Sequence, residues 1–446
     1  MPPRFDTAKR TLDLSVADLL DATLTRSLGF ANRGGYERLW LGQAIHSRYQ
    51  ERSLESDPTF RREVGIVHRF EHRGWQVAVQ GRIDGIRREP DGTLVVEEIK
   101  SVRRGVQLAP HVREIYQRQA LLYAWMLRAE TGAEIPIRAE LVLISIGSDE
   151  TEREELQLDE RQLEAAIRRR LNLLLHARES EEQAAQARRL AAERMVFPYG
   201  ALRPGQEEIL AAAETAVANG EHLLLEAATG IGKTVAAIYP ALRYALSTDK
   251  RVFVLTAKTT QQEMATAVVR LLSAGGGFRS VRLRAKAKMC ANDQLICHEE
   301  YCRFAKDYAQ KSATTGIVRR LLEENTVLDP DLIFAAAAGC EVCPFEISLE
   351  LAGRAEVTIC DYNYAFDPTV SLPDFGADRD LGDTILVIDE IHNLVDRGRG
   401  YYSPELSARA AVRAAESLGH GNHPIHFQLE TLCLALARLI ERAVAS

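Results

Sequence analysis

The segment Glu226-Ala227-Ala228-Thr229-Gly230-Ile231-Gly232-Lys233-Thr234 restricts the fold of this chain more than any other stretch. Its small residues let backbone N–H groups close around phosphate oxygens, and a helix starting there favours the negative charge. In that arrangement Gly230 and Gly232 form the turn, Lys233 reaches the β and γ phosphates, and Thr234 holds Mg²⁺. Such a loop belongs between a buried strand and a helix. The apolar run Leu223-Leu224-Leu225 reads as that strand, and Val235-Ala236-Ala237-Ile238 as that helix.

A second stretch completes the site. Ile385-Leu386-Val387-Ile388 is apolar throughout, the pattern of a buried parallel strand. Asp389 at its C-terminal end is placed to hold Mg²⁺, Glu390 to orient the attacking water, and His392 to couple the site to a nucleic-acid side. An Asp-Glu pair after a strand reads equally well as a solvated strand end. The phosphate loop earlier in the same chain decides for nucleotide chemistry, with ATP as the ligand. A parallel-sheet α/β domain follows.

With 446 residues, the chain has room for two or three domains. Hydrophobic residues make up 46% and charged residues 27%, ordinary values for a globular protein. No apolar run is long enough to span a bilayer, and Met1-Pro2-Pro3-Arg4-Phe5-Asp6 lacks a signal-peptide core. The expectation is a cytoplasmic protein with no membrane partner. A net charge of −7 means that nucleic acid would have to be met by local patches. Two candidates are Arg279, Arg282, Arg284, Lys286 and Lys288, and Arg168-Arg169-Arg170; either reads as well as a solvated face. All seven cysteines lie from Cys290 onward, at 290, 297, 302, 340, 343, 360 and 433. In a reducing compartment, the first five suggest a metal site of zinc or iron–sulfur type rather than disulfides. Cys360 and Cys433 read as core residues.

The N-terminal region carries a second constellation. Gly81-Arg82-Ile83-Asp84-Gly85 leads to Glu89-Pro90-Asp91-Gly92 and then to Leu94-Val95-Val96-Glu97-Glu98-Ile99-Lys100, which reads as a hairpin. Alternation puts Glu98 and Lys100 on one face, with Asp84 on the neighbouring strand. Two carboxylates beside a lysine can bind Mg²⁺ or Mn²⁺ and polarise a phosphodiester. An exposed hairpin of mixed charge has the same local look. His46 lies on an upstream helix, and Gln119 and Tyr123 lie one turn apart on a downstream one.

From about Phe197 the chain resembles the XPD/DinG group of superfamily 2 DNA helicases. The matching stretches are Phe197-Pro198-Tyr199 with Arg203 and Gln206, the phosphate loop, Leu255-Thr256-Ala257-Lys258-Thr259, Lys288-Met289-Cys290, Cys343-Pro344-Phe345-Glu346, Asp361-Tyr362-Asn363-Tyr364 and Asp389-Glu390-Ile391-His392-Asn393-Leu394. The resemblance implies a [4Fe–4S] cluster on Cys290, Cys297, Cys302 and Cys343, with Cys340 as the alternative fourth ligand, and adenine contact by Gln206. Ala228 stands where the group usually has Pro, and Ile391 where it has Ala. The ordered set His46, Asp84, Glu98, Lys100, Gln119 and Tyr123 resembles the RecB-like branch of the PD-(D/E)xK nucleases. That resemblance implies metal binding by His46, Asp84 and Glu98, phosphate contact by Lys100, and a Gln119/Tyr123 helix beside the active site.

The expected architecture is a restriction-endonuclease-like mixed-sheet domain over residues 1–178 and a solvated helical linker over 179–196. A RecA-like domain follows over 197–396, with an iron–sulfur insertion at about 285–345, and then the start of a helical arch over 397–446. No second RecA-like lobe is legible, so the chain reads as the N-terminal part of a longer polypeptide or a truncated product. The expected function is an ATP-dependent, 5′→3′ DNA helicase joined to a metal-dependent nuclease in repair or recombination, acting on single-stranded, tailed or flapped DNA. The alternative is a non-catalytic module that binds DNA ends and ATP.

Overall fold

The computed structural model describes residues 3–20, 31–103, 108–132, 134–146, 148, 150–228, 230–375, 380–403, 405–418 and 424–445. Its first half is a mixed sheet with helices on both faces. The elements are β1 (Arg4–Asp6), β2 (Thr11–Ser15), α1 (Val16–Leu20), α2 (Ala31–Ser56), β3 (Arg61–His72), β4 (Trp75–Arg88), β5 (Leu94–Arg103), α3 (Pro110–Thr131), β6 (Ile137–Ile146) and β7 (Thr151–Leu156). The strand order is β1-β2-β4-β5-β6-β7, with β3 also paired to β4. The β2/β4 and β5/β6 ladders are parallel and the others antiparallel.

The Glu89–Gly92 turn closes the β4/β5 hairpin as its residue types require. Glu89 N–H donates to Thr93 O at 2.9 Å, and Gly92 takes φ 92°. On β5 the period of two sends Val96 into the core shared with Ala120 and Tyr123 of α3, and Ile99 into a smaller cluster with Ile45 of α2.

One helix, α4 (Glu160–Arg194), joins the halves, with Asp159 accepting the Gln162 N–H at its start. Leu163, Ile167, Leu171 and Leu175 enter the first core, while Ala192 enters a core of the second half. The stretch expected to be a solvated linker is therefore partly buried. Its charge-rich composition hides Arg188, which is 9% exposed and binds Glu181, Asp249 and Glu356 at 2.7, 2.6 and 3.3 Å.

The second half contains α5 (Gln206–Asn219), α6 (Lys233–Thr248), β8 (Arg251–Thr256), α7 (Thr259–Leu272), β9 (Ser280–Arg282), α8 (Lys286–Met289), α9 (Tyr308–Thr315), α10 (Ile317–Glu324), β10 (Val327–Leu328), α11 (Pro330–Gly339), α12 (Pro344–Ala352), β11 (Val357–Asp361), α13 (Asn363–Phe366), β12 (Thr384–Ile388), α14 (His392–Tyr401), α15 (Ala408–Leu418) and α16 (Pro424–Ala445). The described strands form a parallel sheet in the order β10-β9-β11-β8-β12. Val252 and Val254 face one core, and Phe253 and Leu255 the other. Sheets covered on both faces need such unbroken apolar strands.

The strand expected at Leu223-Leu224-Leu225 is not formed. Residues 221–228 carry no strand, and Leu224 is 81% exposed. Among the described residues β12 pairs only with β8, so no ladder reaches this segment. Apolar composition fits a residue for a sheet but does not supply the neighbour that makes it a strand. No helix of the described residues is long and apolar enough to cross a membrane.

Candidate functional site

The first site lies where β4, β5, α2 and α3 meet. The ladder sets Gly85 opposite Glu97, which places Asp84 opposite Glu98. Asp84 Oδ2 accepts the Ile99 N–H at 2.8 Å, tying the two strands at this point. Glu98 is 1% exposed; its Oε1 accepts from the Lys100 ammonium, and its Oε2 is buried with no partner. Burial pushes the Glu98 carboxyl up to about 8, against the opposing pull of Lys100. Asp84 is raised for the same reason, again opposed by Lys100. Burial acts against the Lys100 ammonium, but Glu98 and Asp84 outweigh it and raise its pKa. His46 of α2 feels the Asp84 charge, although burial lowers its own pKa.

Helix α3 covers this site. Tyr123 is 5% exposed, with Gln119 one turn before it on α3; burial raises its pKa and Gln119 opposes the rise. A Cβ on Gly81 would lie 2.5 Å from the Tyr123 ring, so only glycine lets the ring reach this position. Tyr116 adds its ring 5.3 Å from the Lys100 ammonium. The six residues singled out from the sequence are thus gathered from four elements. Glu63 of β3 also adds its charge to His46, Asp84 and Glu98, and sequence reading missed it.

Among the described residues, no group of three or more His, Cys, Asp or Glu side chains is placed to hold a metal ion. The donor set nonetheless suits a divalent cation. An unpartnered carboxylate oxygen deep in the fold is costly, and a cation would satisfy it.

The second site lies at the C-terminal ends of β8, β11 and β12. Lys233 begins α6, and its ammonium donates to Ala227 O at 2.8 Å and Ala228 O at 3.3 Å. It is also close enough to lower the Asp389 pKa, while burial and Glu390 act the other way and leave it raised. Phosphate loop and acidic box therefore converge. Gly230 and Gly232 both take φ 85°, as the loop requires, and Thr234 follows Lys233 in the first turn of α6; Thr229 lies outside the described residues.

Gln206 is 2% exposed. Its side chain accepts the Arg203 N–H at 3.0 Å and donates to Gly232 O at 3.5 Å. It braces the loop in this conformation rather than presenting a free amide. Glu390 sits at φ 52°, with His392 3.4 Å from its carboxylate. Sequence reading also missed Arg397, which bonds Asp361 at 2.8 Å, Asn363 at 3.1 Å and Ala257 O at 3.0 Å. It links α14 to the ends of β8 and β11. Tyr362 donates to Asp389 O and, at 3.0 Å, to Glu390 O, which ties in β12.

All seven cysteines are free thiols. Cys302 is buried in the core that Cys340 and Cys343 also pack against, while Cys290 and Cys297 are half-buried in the preceding loop. Burial pushes the Cys343 thiol up to about 11. These five free thiols have the donor chemistry of an iron–sulfur or zinc site, but among the described residues no three of them are placed to hold a metal. Cys360 is fully buried on β11, as expected of a core residue.

The basic patch at 279–288 is largely neutralised. Arg282 meets Asp329 at 3.2 Å, Arg284 meets Asp331 at 2.7 Å, and Arg279 bonds Leu322 O at 2.6 Å. These partners stand more than forty residues away in sequence, out of reach of local charge counting. In the other patch, Arg168 pairs with Glu164 at 3.8 Å and Arg170 bonds Asp18 O at 3.2 Å.

Residues 5–198 match the PD-(D/E)XK nuclease superfamily, and residues 278–410 match DEAD_2. A Regulator of telomere elongation helicase 1 homolog of Drosophila melanogaster is 25% identical over 170 residues, 35% of this chain and 16% of that protein. The General transcription and DNA repair factor IIH helicase subunit XPD of Arabidopsis thaliana is 25% identical over 232 residues, 44% of this chain and 30% of that protein. The chain thus spans less than a third of either relative's length. A solved XPD helicase structure aligns over 53% of this chain and 40% of its own, at 19% identity and a TM-score of 0.36. Residues 5–198 are thus similar to the PD-(D/E)XK nuclease superfamily, and residues 278–410 to the DEAD_2 domain of XPD/DinG-like helicases.

Proposed function

We propose that this chain is a DNA-processing enzyme in which a metal-dependent nuclease, residues 1–178, is joined through 179–196 to an ATP-driven helicase motor beginning at 197. The motor unit runs to 396 with the cysteine-bearing insertion at about 285–345, and residues 397–446 begin an arch-like helical insertion. The observation that carries the nuclease reading is the buried Glu98 carboxylate, with one oxygen on Lys100 and the other unpartnered beside Asp84. Mg²⁺ or Mn²⁺ held by His46, Asp84 and Glu98 would supply an activated water and neutralise phosphate charge. Lys100 then contacts the phosphate, and Gln119 and Tyr123 line the approach. On the motor side Lys233, Thr234 and Asp389 hold Mg²⁺ and ATP, Glu390 orients water, and His392 couples to the DNA side. Cys290, Cys297, Cys302 and Cys343 hold a [4Fe–4S] cluster, with Cys340 as the alternative to Cys343.

Single-stranded, tailed or flapped DNA with an accessible end is the proposed substrate, and repair or recombination the setting. The test is a Mg²⁺ titration of DNA cutting. Cutting should rise with Mg²⁺, stop on chelation and vanish in Glu98→Ala; cutting that survives this substitution places the chemistry elsewhere. A second reading, a module that binds DNA ends and ATP without turnover, is favoured by one observation: Lys233 is occupied by carbonyls of its own loop. Metal-independent DNA binding without any cutting would select it.

A further inference from the structure

The β3/β4 hairpin turns on Arg73 and Gly74, at φ 50° and 75°, with His72 paired to Trp75. That two-residue turn fixes every partner along the ladder. Arg62 faces Gly85 and Val64 faces Ile83, so Glu63 falls opposite Asp84. On the other side of β4, Asp84 falls opposite Glu98. By register, Glu63, Asp84 and Glu98 thus stand level on three adjacent strands, although Glu63, at φ 53°, is skipped in the β3/β4 ladder and the β4/β5 ladder ends at Gly85 and Glu97; His46 approaches from α2.

Gln50, which is 3% exposed, binds the row together. Its amide donates to Glu63 Oε1 at 3.0 Å and to Asp84 O at 2.9 Å. An independent feature sets this row apart from an ordinary acidic surface. Glu98 is 1% exposed, and among the described residues its Oε2 has no hydrogen-bond partner, while Asp84 and Glu63 add their charges to it. A buried carboxyl oxygen without a partner, beside two further acidic side chains, is what a hard cation relieves by displacing the proton.

We propose that Glu63 is a further acidic member of the cation site, holding a divalent cation together with Asp84. The inference rests on the nuclease reading of this site. Arg82 meets Glu63 at 3.4 Å in an exposed pair, a contact too weak to keep a divalent cation away. Gln50 keeps the carboxylate on the Asp84 side while Arg82 lets go.

The experiment is Mn²⁺ binding to the metal-free full chain, read by calorimetry and by loss of the free-ion electron paramagnetic resonance signal. Glu63→Gln should weaken Mn²⁺ binding by about tenfold or more. Its melting midpoint in chelator should equal or exceed that of the parent, because a like charge has gone. Unchanged Mn²⁺ affinity in Glu63→Gln overturns the proposal. If that variant melts lower, Arg82→Gln decides: it frees Glu63, so Mn²⁺ binding must stay at least as tight as in the parent, and weaker binding overturns the proposal. Glu98→Gln separates the two levels of the argument. If the parent binds Mn²⁺ and Glu98→Gln binds it equally well, the nuclease reading itself fails.

Discussion

Glu97 and Glu98 are neighbours in sequence with different surroundings. Glu97 turns to the α2 face, where Tyr49 donates to it at 2.7 Å and Arg87 and Arg153 bind it at 2.9 and 2.8 Å. Glu98 turns to the α3 face, where Lys100 is its only hydrogen-bond partner among the described residues. Strand alternation made this difference legible, because a period of two puts Glu98 and Lys100 together. Glu63 was less visible, since it is found only by counting back from the Arg73-Gly74 turn. A pH dependence follows in the metal-free chain. Folded Glu98 stays protonated up to about 8, whereas the unfolded residue ionises near the ordinary 4.5. Between these values the unfolded chain binds fewer protons, so stability falls as pH rises. Chemical unfolding at pH 5 and pH 8 should show this loss in the parent and a smaller one in Glu98→Gln. An equal loss in both would mean that Glu98 is not the group responsible.

At the scale of elements, the hairpin and the β12 strand were legible because turn chemistry and apolar runs are local signals. The Leu223–Leu225 strand was not, since a strand needs a neighbour and residues 221–228 have none among the described residues. The basic stretch at 279–288 reads either as a DNA contact or as a solvated face for a related reason, as β9 and α11 bring Asp329 and Asp331 against its arginines from far away in sequence. The family resemblance alone implies adenine contact by Gln206, while its contact with Gly232 O is a tertiary fact. The cysteine-bearing segment gives its own prediction. Anaerobic purification should yield about four irons per chain and broad visible absorption, if Cys290, Cys297, Cys302 and Cys343 act as a set. Cys360→Ser should leave the iron content unchanged because Cys360 is fully buried on β11. Stoichiometric zinc without iron would remove the cluster assignment.

For the whole molecule, α4 is the decisive element. Its first turns belong to the core of the mixed sheet and its last turns to that of the parallel sheet. The join is tight: a Cβ on Gly277, which takes φ 87°, would lie 2.4 Å from Ala191 Cβ. Arg188 is the ionic anchor, and its loss leaves Glu356, 8% exposed, without its guanidinium. Removing one member of a buried ion pair costs on the order of 3 kcal/mol. Arg188→Ala should therefore lower the melting midpoint of the second half and separate its unfolding from that of the first. A single transition at the parent midpoint would show that the anchor is inert. The two-site account itself is tested most directly by crossing two variants in one experiment. Glu98→Ala and Lys233→Ala are compared for Mg²⁺-dependent cutting of a duplex with a 5′ single-stranded tail and for nucleotide binding. Glu98→Ala should lose cutting by at least about a hundredfold and keep nucleotide binding, because the two sites share no residue. Lys233→Ala should lose nucleotide binding and keep the cutting measured without ATP. Full cutting by Glu98→Ala, or loss of both properties in both variants, would contradict the account.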